Sequence, residues 1–173
     1  MTSLPVALTI AGTDPSGGAG IMADLKSFQA RDVYGMAVIT SVVAQNTRGV
    51  QLIEHVSSEM LKAQLESVFS DILPQAVKTG MLATTEIMEI IQPYLKRLDC
   101  PYVLDPVMVA TSGDALIEED TSKVVPKISS SQRMKNLSGK VHEFKLAIPM
   151  VLAVHLQQLS LLNSQKGKAF IKQ

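Results

Sequence analysis

Apolar residues along this chain gather into short dense runs, separated by longer segments in which they recur at helical spacing. Residues 6–11 are apolar apart from Thr9, the pattern of a strand buried on both faces. That run enters the segment 12–20. Beyond it, Ile21, Leu25 and Phe28 keep helical intervals through Asp24, Lys26 and Gln29, which predicts a helix. Residues 36–44, rich in Val, Ile and Thr, predict a second buried strand that ends in a loop at 45–49. Ser58 is a candidate N-cap for a helix through Ile72, with Glu59 in its first turn and Met60, Leu61, Leu65, Val68 and Phe69 on its buried side. Residues 76–79 predict a strand and 85–98 a helix that Pro93 should kink or end, because proline removes an amide donor. Residues 103–105 predict one more short strand.

Strands alternating with helices argue for an α/β fold, a mostly parallel sheet flanked by helices. The predicted strands all run into polar or glycine-bearing loops at 12–20, 45–49, 80–82 and 105–113. In open parallel sheets ligands bind beyond the carboxyl ends of the strands, so these loops are expected to gather along one ligand-binding rim.

Composition narrows the partners. The 173 residues are 46% hydrophobic and 18% charged, enough for one domain with a core. Sixteen basic and sixteen acidic residues cancel, which gives no electrostatic case for nucleic acid or an anionic membrane. Small molecules are the expected partners. A single cysteine, Cys100, and an amino terminus without a signal-peptide pattern fit the cytoplasm. No apolar run reaches the roughly 18 residues of a membrane helix, because Pro149 and the polar residues from His155 to Gln158 break the greasiest stretch.

Each candidate residue carries two readings. The four glycines in 12–20 can bring backbone amides, backed by the positive end of a helix, close to an anion, or can make only a tight turn. The segment is not a Walker A motif. Asp24 reads first as a solvated face residue and second as a carboxylate for a ligand hydroxyl. Gln45 and Asn46 offer amides that suit the nitrogen-rich edge of a heterocycle, or ordinary turn chemistry. Asp105, after a buried strand, could hold magnesium or simply start a loop. His55, His142 and His155 lack metal-ligand spacing and a partner Ser or Asp, and Cys100 reads as an inert turn residue.

Five blocks in order then become familiar: the run from Leu8 to Ile21 continuing Ala23-Asp24-Leu25-Lys26; Tyr34-Gly35-Met36; Val43-Ala44-Gln45-Asn46-Thr47; Lys78-Thr79-Gly80-Met81-Leu82; and Asp105-Pro106-Val107-Met108 with Ser112-Gly113-Asp114. Over about residues 4–120 the chain resembles the hydroxymethylpyrimidine and phosphomethylpyrimidine kinase family. The resemblance implies a ribokinase-like fold and phosphate transfer from magnesium-ATP to a hydroxymethylpyrimidine and then to its monophosphate, in thiamine biosynthesis. It implies that Gly12, Asp24, Gln45, Met81 and Val107 line the pyrimidine pocket, with Gln45 on the aminopyrimidine edge, and that Asp105 lies toward magnesium and the phosphates. Related pyridoxal-phosphorylating kinases share these loops, so pyridoxine-type vitamers are a second substrate class. Such kinases often associate, and a homo-oligomer is compatible with the resemblance.

The likeness fades after Asp120, dividing the chain into 1–120, the N-terminal part of a kinase domain, and 121–173, an atypical tail. The family's Asn-x-Pro-Glu-Ala-Glu stretch, its Lys-Gly-Gly strand and its catalytic Gly-Thr-Gly-Cys loop do not occur in the sequence, so no catalytic residue is assigned. Codons permitted by residues 145–155, shifted by one base, can spell Lys-Thr-Arg-Asn-Thr-His-Gly-Thr-Gly-Cys-Thr. The expectation is a catalytic region read out of frame after loss of a central segment. The chain then reads either as a kinase by family or as an inactive, pyrimidine-binding remnant, with apolar surface left exposed by the missing strands. Its DNA sequence decides the reading frame.

Overall fold

A computed structural model of the chain describes residues 4–105. Val107, the loop beyond Asp105, the tail at 121–173 and its reading frame lie outside the described residues.

Six strands and three helices are described: β1 Val6–Ala11, α1 Gly20–Gln29, β2 Tyr34–Ile39, β3 Ser41–Asn46, β4 Gly49–His55, α2 Ser58–Asp71, β5 Ala76–Thr79, α3 Thr85–Lys96 and β6 Tyr102–Leu104. Strands β2, β1, β5 and β6 form one parallel sheet in that order, and β3 and β4 form a separate antiparallel pair. Parallel neighbours need long crossovers, and helices supply them here.

The sheet separates two apolar layers. Leu8, Ile10 and Val77 point to one face, where Leu61 and Leu65 of α2 and Ile87, Met88, Ile91 and Leu95 of α3 complete the larger core. Ala7 and Ala76 point to the other, against Phe28 of α1 and Val33. Each large side chain buried there stabilises the fold by about 1.5–3 kcal/mol. Because side chains alternate along a strand, Thr9 and Lys78, which are opposite each other in the β1–β5 register, share the α1 face. Both are buried.

Several expectations need correcting. The predicted strand 36–44 is two strands. β2 ends at Ile39, the Thr40 amide donates to the Ala11 carbonyl at 3.0 Å, and the chain leaves the sheet as β3. The expected loop 45–49 is the tip of the β3–β4 hairpin, in which the Arg48 amide donates to Asn46 Oδ1 at 2.9 Å. The cap of α2 is Ser57, whose Oγ accepts from the Met60 amide at 3.1 Å, and Met60 is 54% exposed instead of buried. Pro93 lies inside α3 and does not end it, since the helix runs on to Lys96. Among the described residues no helix is long and apolar enough to cross a membrane.

Candidate functional site

The carboxyl ends of β1, β2, β5 and β6 all point the same way, and three segments converge there. A Cβ added to Gly12 would lie 2.8 Å from Met81 Cε, 3.5 Å from the Ser41 carbonyl oxygen and 3.7 Å from Val43 Cγ2. The loop after β1, the start of the hairpin and the loop after β5 therefore meet around a glycine that keeps the space between them small. Thr40 Oγ1 donates to the Met81 carbonyl at 3.0 Å, the Thr13 amide to the Ser41 carbonyl at 2.9 Å, and the Val43 amide to Thr13 Oγ1 at 2.8 Å. On β3, Ser41, Val43 and Gln45 alternate onto one face, with Ser41 and Val43 buried and Gln45 half-buried. The register slips by one residue between Ala44 and Gln45.

The glycine loop provides its own anion. Asp14, 2% exposed, accepts through Oδ1 from the Ser16 amide at 2.9 Å and the Ser16 hydroxyl at 2.7 Å, and through Oδ2 from the Gly18 amide at 3.0 Å and the Ala19 amide at 2.8 Å. Burial works to raise its pKa, yet the hydrogen bonds from the Ser16 and Gln45 side chains and from the Ser16 and Gly18 amides together hold the carboxyl below its ordinary value. The Ser16, Gly18 and Ala19 amides, read as either facing a ligand anion or making a tight turn, are thus bound by an aspartate within the loop. Gly20 closes the turn at φ 55°, with room for a Cβ only 2.3 Å from the Gly12 carbonyl oxygen, a position only glycine fills without strain.

Asp24 corrects the reading that made it a solvated face residue. It is fully buried on the inner stripe of α1, where its carboxylate accepts from Thr9 Oγ1 at 2.6 Å and from Lys78 Nζ at 2.9 and 3.0 Å. Lys78, itself 2% exposed, also stands 3.7 Å from Asp105 Oδ2. The Asp105 amide donates to the Thr79 carbonyl at 2.9 Å, which keeps this aspartate in line with the end of β5. One buried ammonium thus links a carboxylate behind the rim to a carboxylate on it. Gly80 lets the loop after β5 pass close to the end of β1, because a Cβ there would come within 2.9 Å of Ala11 Cβ.

Gly12, Gln45, Met81 and Asp105 come together at the rim or beside it, and Asp24 lies behind it. Lys78, Thr9 and Asp14 were not singled out from the sequence. A signal existed for Lys78: it interrupts an otherwise apolar strand, and a lysine is almost never fully buried unless it is paired. His55 also gains a partner, since its Nδ1 lies 2.8 Å from Ser41 Oγ across the open end of the hairpin. Cys100 remains inert, as burial and then Asp99 push its thiol up to about 11. Among the described residues no group of three His, Cys, Asp or Glu could hold a metal. A recess of about 570 Å³ between α2 and α3, lined by residues such as Lys62, Glu66 and Tyr94, shares no residue with the rim.

Comparison with known proteins accounts for this arrangement. The model of the family described as phosphomethylpyrimidine kinase matches residues 14–134. The hydroxymethylpyrimidine/phosphomethylpyrimidine kinase of Staphylococcus aureus strain N315 is 59% identical over 119 residues, covering 68% of this chain and 43% of the relative. That of Escherichia coli strain K12 is 51% identical over 129 residues, covering 71% and 48%. The chain therefore spans under half the length of these relatives. Among solved structures, phosphomethylpyrimidine kinase from Clostridium difficile 630 is similar with a TM-score of 0.63 and 48% identity, covering 69% of this chain and 52% of that one. The pyridoxal kinase of Staphylococcus aureus in complex with pyridoxal gives a TM-score of 0.61 and 35% identity, covering 72% and 45%. With its ribokinase-like half-sheet, its ordered motifs and a family match over most of its length, the chain belongs to the phosphomethylpyrimidine kinase family.

Proposed function

We propose that this chain is the pyrimidine-holding part of an ATP-dependent kinase that phosphorylates hydroxymethylpyrimidine and its monophosphate in thiamine biosynthesis. The observation that carries the reading is the convergence of Gly12, the β3 face bearing Gln45, and Met81 at the carboxyl rim of a sheet from this family. In this reading Gly12, Gln45 and Met81 form the pocket wall, Val107 joins them by its place in the family motif, and Asp24 supports the pocket from behind. Asp105 suits magnesium as one carboxylate, because that ion commonly takes one or two carboxylates and fills its other positions with phosphate oxygens and water. Magnesium would neutralise phosphate charge there. The reading places the protein in the cytoplasm, with ATP and a small pyrimidine as its partners.

Calorimetric titration of the full 173-residue chain with 4-amino-5-hydroxymethyl-2-methylpyrimidine tests the pocket. Gln45→Ala should weaken binding by about 1–3 kcal/mol, the cost of an unmade buried hydrogen bond. Absence of binding by the unmodified chain would overturn the reading. A coupled ATP assay on the same sample separates a working kinase from a pyrimidine-binding remnant, the alternative reading of the chain. The likeness to a pyridoxal kinase holding pyridoxal favours pyridoxine-type vitamers as a second substrate class, and competition with pyridoxine measures that preference.

A further inference from the structure

Thr40 stands where three segments cross. It is fully buried at the point where the chain leaves β2 for the hairpin, and each of its polar groups serves a different neighbour. Its amide donates to the Ala11 carbonyl at 3.0 Å, its carbonyl accepts from the Val56 amide just after β4 at 3.1 Å, and its hydroxyl donates to the Met81 carbonyl at 3.0 Å. The residue before it is held from the side of α2. Gln64 accepts from the Ile39 amide through Oε1 at 2.9 Å and donates through Nε2 to the Ile39 carbonyl at 3.0 Å. One glutamine amide thus meets both backbone groups of Ile39, as a neighbouring strand would, and gives Thr40 a fixed base.

Two of the Thr40 bonds bear on the pocket wall. The Ala11 carbonyl belongs to the peptide that leads into Gly12, and the Met81 carbonyl to the peptide that leaves Met81. The same threonine therefore holds both partners of the contact in which Met81 Cε lies 2.8 Å from the place of a Gly12 Cβ. Just before Met81, the Gly80 amide donates to the Ile10 carbonyl at 2.9 Å, so the backbone is tied on either side of this residue. A methionine side chain is flexible, and a wall made of it keeps its place only where the backbone beneath is held. Valine at position 40 would keep the side-chain shape and the backbone bonds and lose only the tie to Met81.

We infer that Thr40 is a positioning residue that sets the Met81 wall against Gly12 and so fixes the width of the candidate pocket. Fully buried, it acts through Met81 and Gly12 without touching a ligand. This rests on the pyrimidine reading of the pocket and adds to it the group that keeps two of the walls in register.

Calorimetric titration of the full chain and its variants with 4-amino-5-hydroxymethyl-2-methylpyrimidine tests the assignment. Thr40→Val should weaken binding about fivefold or more, the value of one hydrogen bond, whereas Thr40→Ser keeps the hydroxyl and should stay within about twofold of the unmodified chain. Leu65→Ala, in the core beneath α2, lowers stability without touching this junction and should leave affinity within about twofold. Unchanged affinity in Thr40→Val, a Thr40→Ser variant as weak as Thr40→Val, or an equal loss in Leu65→Ala would overturn the inference while leaving the pocket in place. Failure of the unmodified chain to bind would overturn the pyrimidine reading and this inference with it. A second measurement needs no ligand. The Met81 ε-methyl signal, assigned by its loss in Met81→Leu, should show a nuclear Overhauser contact with a Gly12 Hα that survives in Thr40→Ser and fades in Thr40→Val. Absence of that contact from the unmodified chain, or its full persistence in Thr40→Val, would overturn the inference whether or not the pyrimidine binds.

Discussion

Replacing Lys78 by methionine keeps most of the side-chain volume and removes only the ammonium. Asp24 then keeps a buried carboxylate with the Thr9 hydroxyl still 2.6 Å away but without the ammonium that meets its two oxygens at 2.9 and 3.0 Å. Asp24 is fully buried and Lys78 2% exposed, so water cannot replace the lost partner without the packing opening. Breaking such a pair from one side costs about 3–5 kcal/mol. With a urea m-value of about 1–3 kcal/mol per molar, the unfolding midpoint should fall by at least about 1 M. Far-UV circular dichroism is the suitable probe because the chain has no tryptophan. Lys78→Met combined with Asp24→Leu removes both charges, and most of the lost stability should return, less about 1 kcal/mol for the Thr9 hydroxyl left without its acceptor. The reasoning fails if Lys78→Met alone costs under about 1 kcal/mol, or if the double variant is as unstable as the two single changes added together.

Asp14 gives an acid-side prediction. Its folded pKa lies below the unfolded value of 3.8, so its stabilising contribution is complete above that value and is lost as pH falls through the folded one. Unfolding measured from pH 6 down to pH 2 should therefore show an acid-dependent slope that is shallower in Asp14→Asn. Gly20→Ala, at φ 55° and with its Cβ against the Gly12 carbonyl, should destabilise the chain by more than about 1 kcal/mol in the same urea assay. In Gly12→Ala the Cβ meets the flexible end of Met81, so the unfolding midpoint should hold while pyrimidine affinity in calorimetry drops. With its thiol pushed up to about 11 from 9.0, Cys100 should react with iodoacetamide about 100-fold more slowly in the folded chain than in urea at pH 8, followed by mass spectrometry.

The strands of the main sheet were legible where burial on both faces makes an apolar run. β1 and β5 fall on their predicted bounds for that reason. The same rule failed at 36–44, since a continuous apolar run does not reveal that the chain leaves the sheet at Thr40. β4 was missed because it shows no clean alternation: of Gly49–His55, Gln51, Leu52, Glu54 and His55 are exposed and the others only half-buried. The turn residues between Asn46 and Gly49 were the signal available for a hairpin. At the site, the rim could be anticipated from strand polarity, and Gly12, Gln45 and Met81 from the family motifs. The partnership of Asp24 with Lys78 could not, because it spans 54 residues and depends on which face of β5 meets α1. Nor could the anion of the glycine loop, since spacing does not distinguish a loop that awaits a phosphate from one whose amides Asp14 already holds.

That last feature bears on how the pocket meets its ligand. A loop whose amides converge on an outside anion stays loosely ordered until the anion arrives, and part of the binding energy goes into fixing its backbone. Here the fixing is done at folding, by a side chain three residues past β1, so this stretch of backbone is held before any ligand arrives. Among its amides, those of Ser16, Gly18 and Ala19 are already bonded by that point.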